Sequence, residues 1–154
     1  FQGVKRRFSF LGKIYKSKVY DDYAHHPVEI KFTYEIAKYL SKKKTVVVFQ
    51  PHRFSRVRDL YTEFIKVLKN IEYLFICDIY KAGEKPIKGI YSQKFVKDIS
   101  KKGAKNVYYV NNLQKLNSFL KPFYNENNLI VFMGAGSISQ WAYELVKKHN
   151  EKKT

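Results

Sequence analysis

The chain has 154 residues, which is enough for a single domain that buries one hydrophobic core. Its residues are 45% hydrophobic and 17% aromatic, with only seven glycines and four prolines, which excludes a disordered or collagen-like chain. Thirty basic and 13 acidic residues give a formal net charge of +17, which makes nucleic acid or an anionic membrane surface a partner to consider. No apolar run is long enough to cross a bilayer.

The first elements predicted along the chain are a β-hairpin and a helix. Alternating apolar residues from Phe8 to Tyr20 predict two strands, with the turn at Gly12 and Lys13. Pro27 suits the first turn of a helix that runs to about Leu40, because the missing N–H of proline costs nothing there.

Strands and helices then alternate to the end of the chain. Apolar, partly β-branched runs predict buried parallel strands at 45–49, 73–79, 106–110 and 129–133. Helices are predicted at 55–68, 92–101, 113–124 and 138–149, with caps at Ser55, Ser92 and Ser137. This order predicts a single α/β domain spanning residues 1–154: a three-layer, Rossmann-like fold with a mostly parallel sheet and helices on both faces, preceded by the hairpin.

The distribution of basic residues separates lysine from arginine. Lysines are scattered along the chain, as on a solvated surface, whereas all five arginines fall into two clusters, at 6–7 and at 53–58. The planar guanidinium fork grips carboxylate or phosphate with two hydrogen bonds, so both clusters are candidate anion sites. A basic nucleic-acid-binding domain remains the alternative. A structural, partner-binding module is a third hypothesis, favoured if the arginine and histidine clusters lie on separate faces.

Four segments follow predicted strands and should meet at one edge of the sheet, at 21–27, 50–56, 78–84 and 134–137. Segment 21–27 is also compatible with a simple turn and helix cap. Adjacent histidines do not face one way, so His25 and His26 do not predict a metal site by themselves. Gly134 and Gly136 predict a tight turn that exposes helix N–H groups, and no GxxxxGK[ST] loop is present to cradle ATP phosphates.

The single cysteine and the first residues of the chain bear on its cellular compartment and on whether it is part of a longer protein. The single cysteine, Cys77, cannot form an internal disulfide and lies in an apolar strand, which indicates a core residue rather than a nucleophile. With no signal peptide in the sequence, a reducing cytoplasm is expected. The chain opens with Phe1 and not with methionine, so we expect a piece of a longer protein.

Five motifs together resemble the C-terminal domain of the Mur ligase family: GVKRRF at 3–8, DDYAHHP at 21–27, VVVFQPHRFSR at 46–56, DIYKAGEKPIKG at 78–89 and MGAGSI at 133–138. The resemblance covers essentially the whole chain. The segment FQPHRFSR favours the branch that adds L-alanine over the murein-peptide-recycling branch. Ser137 stands where that branch usually has Asp, and Lys81 where it usually has Pro.

The resemblance implies the closing lid of a three-domain, ATP-dependent ligase of peptidoglycan biosynthesis. Such an enzyme joins L-alanine to UDP-N-acetylmuramate through an acyl phosphate. Its N-terminal domain holds the UDP sugar and its central P-loop domain holds ATP and Mg²⁺, and both would be absent from this chain. The remainder of its own polypeptide would therefore be its partner, with no nucleic acid or membrane partner, and the isolated chain would be inactive. A hinge is expected just before Arg7.

The resemblance also implies roles for individual residues. Nucleotide contacts would come from Arg7 and Asp22, with Asp22 on the ribose hydroxyls. Substrate contacts would come from Tyr23, His26, Arg53 and Arg56, and catalysis from His25 and His52. His52, beside the arginines of its loop, could deprotonate the L-alanine amine or only orient it, and both roles remain open.

Overall fold

The computed structural model describes residues 7–151 as one six-stranded sheet with helices on its two faces. The strands are β1 (Ser9–Ile14), β2 (Ser17–Asp22), β3 (Thr45–Phe49), β4 (Tyr73–Ile76), β5 (Val107–Tyr109) and β6 (Leu129–Met133). The helices are α1 (Pro27–Leu40), α2 (Phe54–Asp59), α3 (Tyr61–Leu68), α4 (Ser92–Lys101), α5 (Leu113–Tyr124) and α6 (Ile138–Glu151). The hinge expected before Arg7 and the arginine at position 6 lie outside the described residues.

The sheet has the strand order β1-β2-β6-β3-β4-β5, in which only the β1–β2 pair is antiparallel. The hairpin is therefore part of the sheet, because β2 pairs in parallel with β6. Alternate residues of the central strands point to opposite faces. Val47 packs with α1, α3 and α4 in one core, whereas Val46 packs with α5 and α6 in the other. The predicted three-layer α/β fold is confirmed.

The predicted hairpin turn was wrong by three residues. The strands turn at Tyr15 and Lys16, and Gly12 lies inside β1 at an irregularity in the pairing. Gly12 has φ +140°, and a Cβ there would lie 2.9 Å from Cγ1 of Val146. Glycine is therefore required by the close approach of α6 rather than by a turn, and sequence pattern does not distinguish the two.

The predicted helix at 55–68 is two helices that meet at Leu60, whose φ of −115° and ψ of +24° leave the helical region. Residues of α2 pack against Ile79, whereas Phe64 of α3 packs in the core beneath the sheet. Two packing surfaces explain the bend. Ser55 and Ser92 are not caps, because the N-cap positions are Arg53 and Tyr91.

Two further features concern the lengths of the helices and the single cysteine. Within residues 7–151 no helix combines the length and the apolar composition that crossing a lipid bilayer demands. Cys77 is buried in the core, and burial raises the pKa of its thiol, as expected for a packing residue.

Candidate active site at the carboxyl edge of the sheet

The carboxyl ends of β2, β6 and β3 lie side by side and form the place where this topology admits a ligand. The chain leaves β2 and β3 toward helices on one face, and it leaves β6 toward α6 on the other face. Helices that diverge to opposite faces open a crevice between the loops of neighbouring strands. Segments 23–26, 50–56 and 134–137 border this crevice, and 77–84 follows β4 beside it.

His52 lies at the centre of this edge. An isolated parallel bridge joins His52 to Tyr80, and their rings stack with centroids 5.3 Å apart at 21°. The backbone N–H of Arg53 donates to the Tyr80 carbonyl at 3.1 Å, which fixes the loop beside the stack. The His52 ring also meets the ring of His25, at 5.8 Å between centroids. The two histidine segments therefore come together as predicted.

Arg56 holds His52 from the next turn of the chain. Its Nη1 donates to Nδ1 of His52 and to the His52 carbonyl, both at 3.2 Å. Burial lowers the pKa of His52, and the positive charges of Arg56 and Arg53, with that of His25 when it is protonated, lower it further. These effects favour the neutral form of the His52 ring. Because a guanidinium only donates, Nδ1 of this neutral ring accepts and Nε2 carries the proton.

His25 has the opposite arrangement. Its Nδ1 lies 2.9 Å from the carbonyl oxygen of Tyr23, which only accepts, and 3.5 Å from Oε1 of Glu29. In the neutral ring Nδ1 therefore carries the proton, and Nε2 keeps its lone pair. Burial acts to raise the pKa of Glu29, but the N–H groups of His26 and His25 and the charge of His25 outweigh it and lower that pKa. An ionised carboxylate thus orients His25.

His26 caps α1. Its Nδ1 accepts the N–H of Val28 at 3.3 Å, and Oε1 of Glu29 accepts the N–H of His26 at 3.0 Å, which completes a capping box. The helix-cap interpretation of this segment therefore holds for His26, whereas the His25 ring contacts the ring of His52.

Arg53 precedes α2 in a strained backbone conformation, with φ +68° in the region that favours glycine. Such strain costs of order 1–3 kcal/mol and persists where neighbouring contacts impose it. Glu84 supplies those contacts: it accepts the N–H of Ser55 at 3.0 Å, accepts the Ser55 hydroxyl, and lies 3.9 Å from Nε of Arg53. The hydroxyl and N–H of Ser55 lower the pKa of Glu84, and so does Arg53.

Gln50 caps α6 from a different strand. Its Oε1 accepts the N–H of Ile138 at 3.1 Å, and its Nε2 donates to the Ser137 hydroxyl at 3.1 Å. A Cβ on Gly136 would lie 2.5 Å from Cγ of Tyr80 and 2.7 Å from Oε1 of Gln50. The glycine turn therefore makes room for these two side chains, and the N–H of Ile138 at the start of α6 is not open to a ligand as the turn had suggested.

Asp22 and Arg7 line an adjoining cleft of ≈ 370 Å³ against α1, which also includes the His25 partners Tyr23 and Glu29. The Asp22 carboxylate is buried and accepts the N–H groups of Phe8 and Ala24, both at 2.8 Å, and the Thr33 hydroxyl at 3.2 Å. Arg7 and Phe32 are exposed at the mouth. Asp22 therefore organises the wall of the cleft, with little acceptor capacity left over.

Four residues of the site were not identified from the sequence: Glu29, Gln50, Tyr80 and Glu84. Tyr80 and Glu84 stand in segment 78–84, which was placed at this edge without roles. The sequence feature that could have identified Tyr80 and Glu84 is their position just after a predicted strand, at the edge where a ligand binds. Across residues 7–151, no three side chains among His, Cys, Asp and Glu gather as a metal site.

Comparison with known proteins connects this geometry to one family. The family described as "Mur ligase, glutamate ligase domain" matches residues 6–136. The UDP-N-acetylmuramate–L-alanine ligase of Rickettsia bellii is 41% identical over 154 residues, which cover 96% of this chain and 32% of that protein. The ligase of the same name from Carboxydothermus hydrogenoformans is 39% identical over 148 residues, with the same coverage. The chain thus spans about a third of the length of these relatives.

Solved structures agree with the sequence comparison. The UDP-N-acetylmuramate–alanine ligase MurC of Thermotoga maritima superimposes with a TM-score of 0.72 at 29% identity, over 96% of this chain and 30% of that chain. A domain of a putative UDP-N-acetylmuramate:L-alanyl-γ-D-glutamyl-diaminopimelate ligase of Haemophilus ducreyi shares the fold, with a TM-score of 0.66 at 19% identity over 93% of this chain and 99% of that chain. None of these proteins supports the nucleic-acid alternative. The chain belongs to the Mur ligase family and corresponds to the C-terminal domain of its L-alanine-adding members.

Proposed function

We propose that this chain is the amino-acid-binding lid of an ATP-dependent ligase that joins L-alanine to UDP-N-acetylmuramate. The observation that carries the proposal is the convergence of His25, His52 and Arg56 at one edge of the sheet, with ring centroids 5.8 Å apart and Arg56 bonded to His52. The remainder of its own polypeptide supplies the UDP-sugar and ATP sites. A reaction that consumes ATP and a UDP sugar is consistent with a cytoplasmic location.

The arginines are proposed to bind the anionic groups of the reaction. L-Alanine must be held by its carboxylate while its amine stays free to attack the acyl phosphate. Arg53 is about half exposed and offers its guanidinium to the crevice, and Arg56 has further N–H donors beyond those that hold His52. A charged donor aimed at negative charge that grows during the reaction is worth about 100-fold to 1,000-fold in rate.

The two histidines are proposed to have different roles, one as a proton acceptor and the other as a hydrogen-bond donor. Nε2 of His25 has a lone pair and accepts the proton that leaves the L-alanine amine, while Glu29 supports the resulting positive charge. Nε2–H of His52 donates a hydrogen bond to a substrate oxygen. Tyr23, whose ring meets His25 edge-on at 5.1 Å, and Tyr80, stacked on His52, hold the two rings. His26 stays a predicted substrate contact, with its cap role as the observed one.

Glutamine substitutions separate the roles of the histidines. A glutamine at position 52 can still donate from its amide, so in the full-length enzyme we expect His52→Gln to keep kcat/KM within about tenfold and His52→Ala to lose about 100-fold. His25→Gln should lose about 100-fold to 10,000-fold in kcat, because an amide is no base.

Steady-state kinetics across pH measures this difference. If His52→Gln were as impaired as His52→Ala and lost the acidic limb of the pH profile, His52 would be the base. Long-range ¹⁵N NMR of the 154-residue chain reads the two tautomers directly, independently of activity.

The cleft at Arg7 is proposed as the lid half of the nucleotide site. Its size and its exposed Phe32 suit a planar base, and the exposed guanidinium of Arg7 suits phosphate. Asp22 shapes this cleft through its three internal hydrogen bonds, and a ribose contact would use its remaining acceptor capacity. Mg²⁺, which would neutralise phosphate charge during transfer, is assigned to the central domain of the full-length protein.

The isolated chain is expected to form no amide and to hydrolyse no ATP. It contributes one wall of the proposed nucleotide site and has no phosphate loop. Titration with ATP, followed by calorimetry and by backbone amide NMR, should therefore show no micromolar binding at the Arg7 cleft. Micromolar binding that shifts the amides around Arg7 and Thr33, or phosphate release above the buffer control, would contradict the lid assignment.

A further inference from the structure

A second cationic site lies at the opposite edge of the sheet, between the hairpin and the end of α1. A cleft of ≈ 150 Å³ there is lined by four lysines, two asparagines, a serine and two leucines: Lys13, Lys16, Lys18, Lys42, Asn127, Asn128, Ser41, Leu40 and Leu129. One water needs only ~10–15 Å³ of such space, so the cleft admits a larger group. Lys18 and Asp22 are four residues apart on β2, which places the cleft about 13 Å from the nucleotide cleft along the strand.

The lysines are held close together by the backbone. Lys13 and Lys18 are directly opposite each other in the antiparallel pairing of β1 and β2, so their side chains leave the same face of the hairpin. Like charges directly opposite in such a pair destabilise a sheet. Lys16 is in the turn between them, and Lys42 approaches from the segment after α1.

No negative group among the described residues compensates this charge. No carboxylate lines the cleft, and none of its four lysines forms an ion pair within residues 7–151. Glu126, close by in sequence, pairs instead with Lys43 at 3.3 Å. The C-terminus of α1 adds about half a negative charge, which is small against four ammonium groups.

Of the two asparagines at the cleft, one is occupied by internal hydrogen bonds and the other can donate a hydrogen bond to a ligand. Asn128 is buried and committed, because its Oδ1 accepts the N–H of Lys44 at 3.0 Å and its Nδ2 donates to the Phe123 carbonyl at 2.8 Å. Asn127 is exposed, and its amide offers two further N–H donors. Ammonium groups and an amide around a small concave site suit a multiply charged oxyanion.

We propose that this lysine cleft binds a phosphate-bearing anion. The site is separate from the proposed ligase chemistry and does not depend on it. A free polyphosphate and the phosphate of an anionic lipid headgroup present the same chemistry, and the experiment below separates these two sources.

The test compares two double variants of the 154-residue chain that have the same net charge. Lys13→Gln/Lys18→Gln removes the opposed pair, and Lys97→Gln/Lys101→Gln removes two exposed lysines of α4 as the control. Titration with inorganic pyrophosphate is followed by calorimetry and by backbone amide NMR. We expect the first variant to bind about tenfold more weakly, the control to change less than twofold, and pyrophosphate to shift the amides of Ser41 and Asn127.

Two further measurements check that the variant is folded and identify the source of the phosphate group. The melting temperature of Lys13→Gln/Lys18→Gln should be no lower than that of the parent chain, because the repulsion between the pair is gone. If pyrophosphate does not bind but phosphatidylglycerol vesicles do, and the same variant loses that binding, the source is a lipid headgroup.

Three results would overturn the proposal. The first is equal weakening in both variants, which would mean diffuse surface charge. The second is amide shifts confined to the loop of Arg53 and Arg56. The third is absence of binding to both pyrophosphate and vesicles.

Discussion

Arg56→Lys in the full-length ligase is expected to lower kcat/KM for L-alanine about 100-fold, although it keeps the positive charge. One guanidinium nitrogen of Arg56 donates to Nδ1 and to the carbonyl of His52, and the guanidinium has further N–H groups that can donate to an anion. A lysine ammonium is a single point and cannot hold His52 and an anion in the same geometry. Loss of a preorganised charged donor of this kind costs roughly 3 kcal/mol in the transition state.

Arg58→Lys is the matched control for Arg56→Lys. Arg58 lies on the same short helix, but it is exposed and its Nε donates to Asp59 at 2.8 Å. This substitution should change kcat/KM less than twofold, and neither variant should lower the melting temperature appreciably. Equal effects of the two substitutions would show that Arg56 has no special place in the reaction.

Gly136→Ala is expected to destabilise the chain by about 3 kcal/mol and to disturb the stack of Tyr80 on His52. The new methyl group would lie 2.5 Å from the Tyr80 ring and 2.7 Å from the Gln50 oxygen that caps α6. Overpacking of this kind costs 1–3 kcal/mol, and loss of a helix cap adds about 1 kcal/mol. Denaturant unfolding measures the free energy, and NMR of the His52 ring reports the stack.

Gly83→Ala separates this clash from the conformational effect of losing a glycine. Gly83 has φ +80°, but no atom lies within 4 Å of its added Cβ. Its substitution should cost about 1 kcal/mol through backbone strain and leave the His52 resonances in place. The interpretation of Gly136 would be wrong if both substitutions cost the same and both left the His52 ring unmoved.

Local patterns were sufficient for the architecture and for the place of the site. Apolar runs such as 45–49 and 129–133 alternate with amphipathic segments, and that order admits few folds other than a mostly parallel sheet between helices. Parallel strands end at one edge, so the loops that carry His25, His52 and Arg56 had to meet there. The spacing of apolar side chains is a local property, so it can be recognised without knowing which residues each segment packs against.

Cap positions and the hairpin turn depended on contacts distant in sequence. Gly12 was placed in a turn because glycine favours turns, yet it is required by the close approach of Val146 in α6, 134 residues later. Gln50 caps a helix that begins 88 residues after it, and no spacing rule covers such a cap. Ser55, a good cap by type, bonds to Glu84 instead.

The fold class, the family and the edge of the sheet where the histidines and arginines gather could all be predicted before folding was considered, because each depends on residue types in a local order. The contacts that each of these residues makes became known from the folded chain. The opposite tautomers of His25 and His52 follow from Tyr23 and Arg56, and the opposed lysines of the second cleft follow from the register of the hairpin. Hydrogen bonds and charge clusters are set by distances of a few ångströms between distant segments, and such distances exist only after the chain has folded.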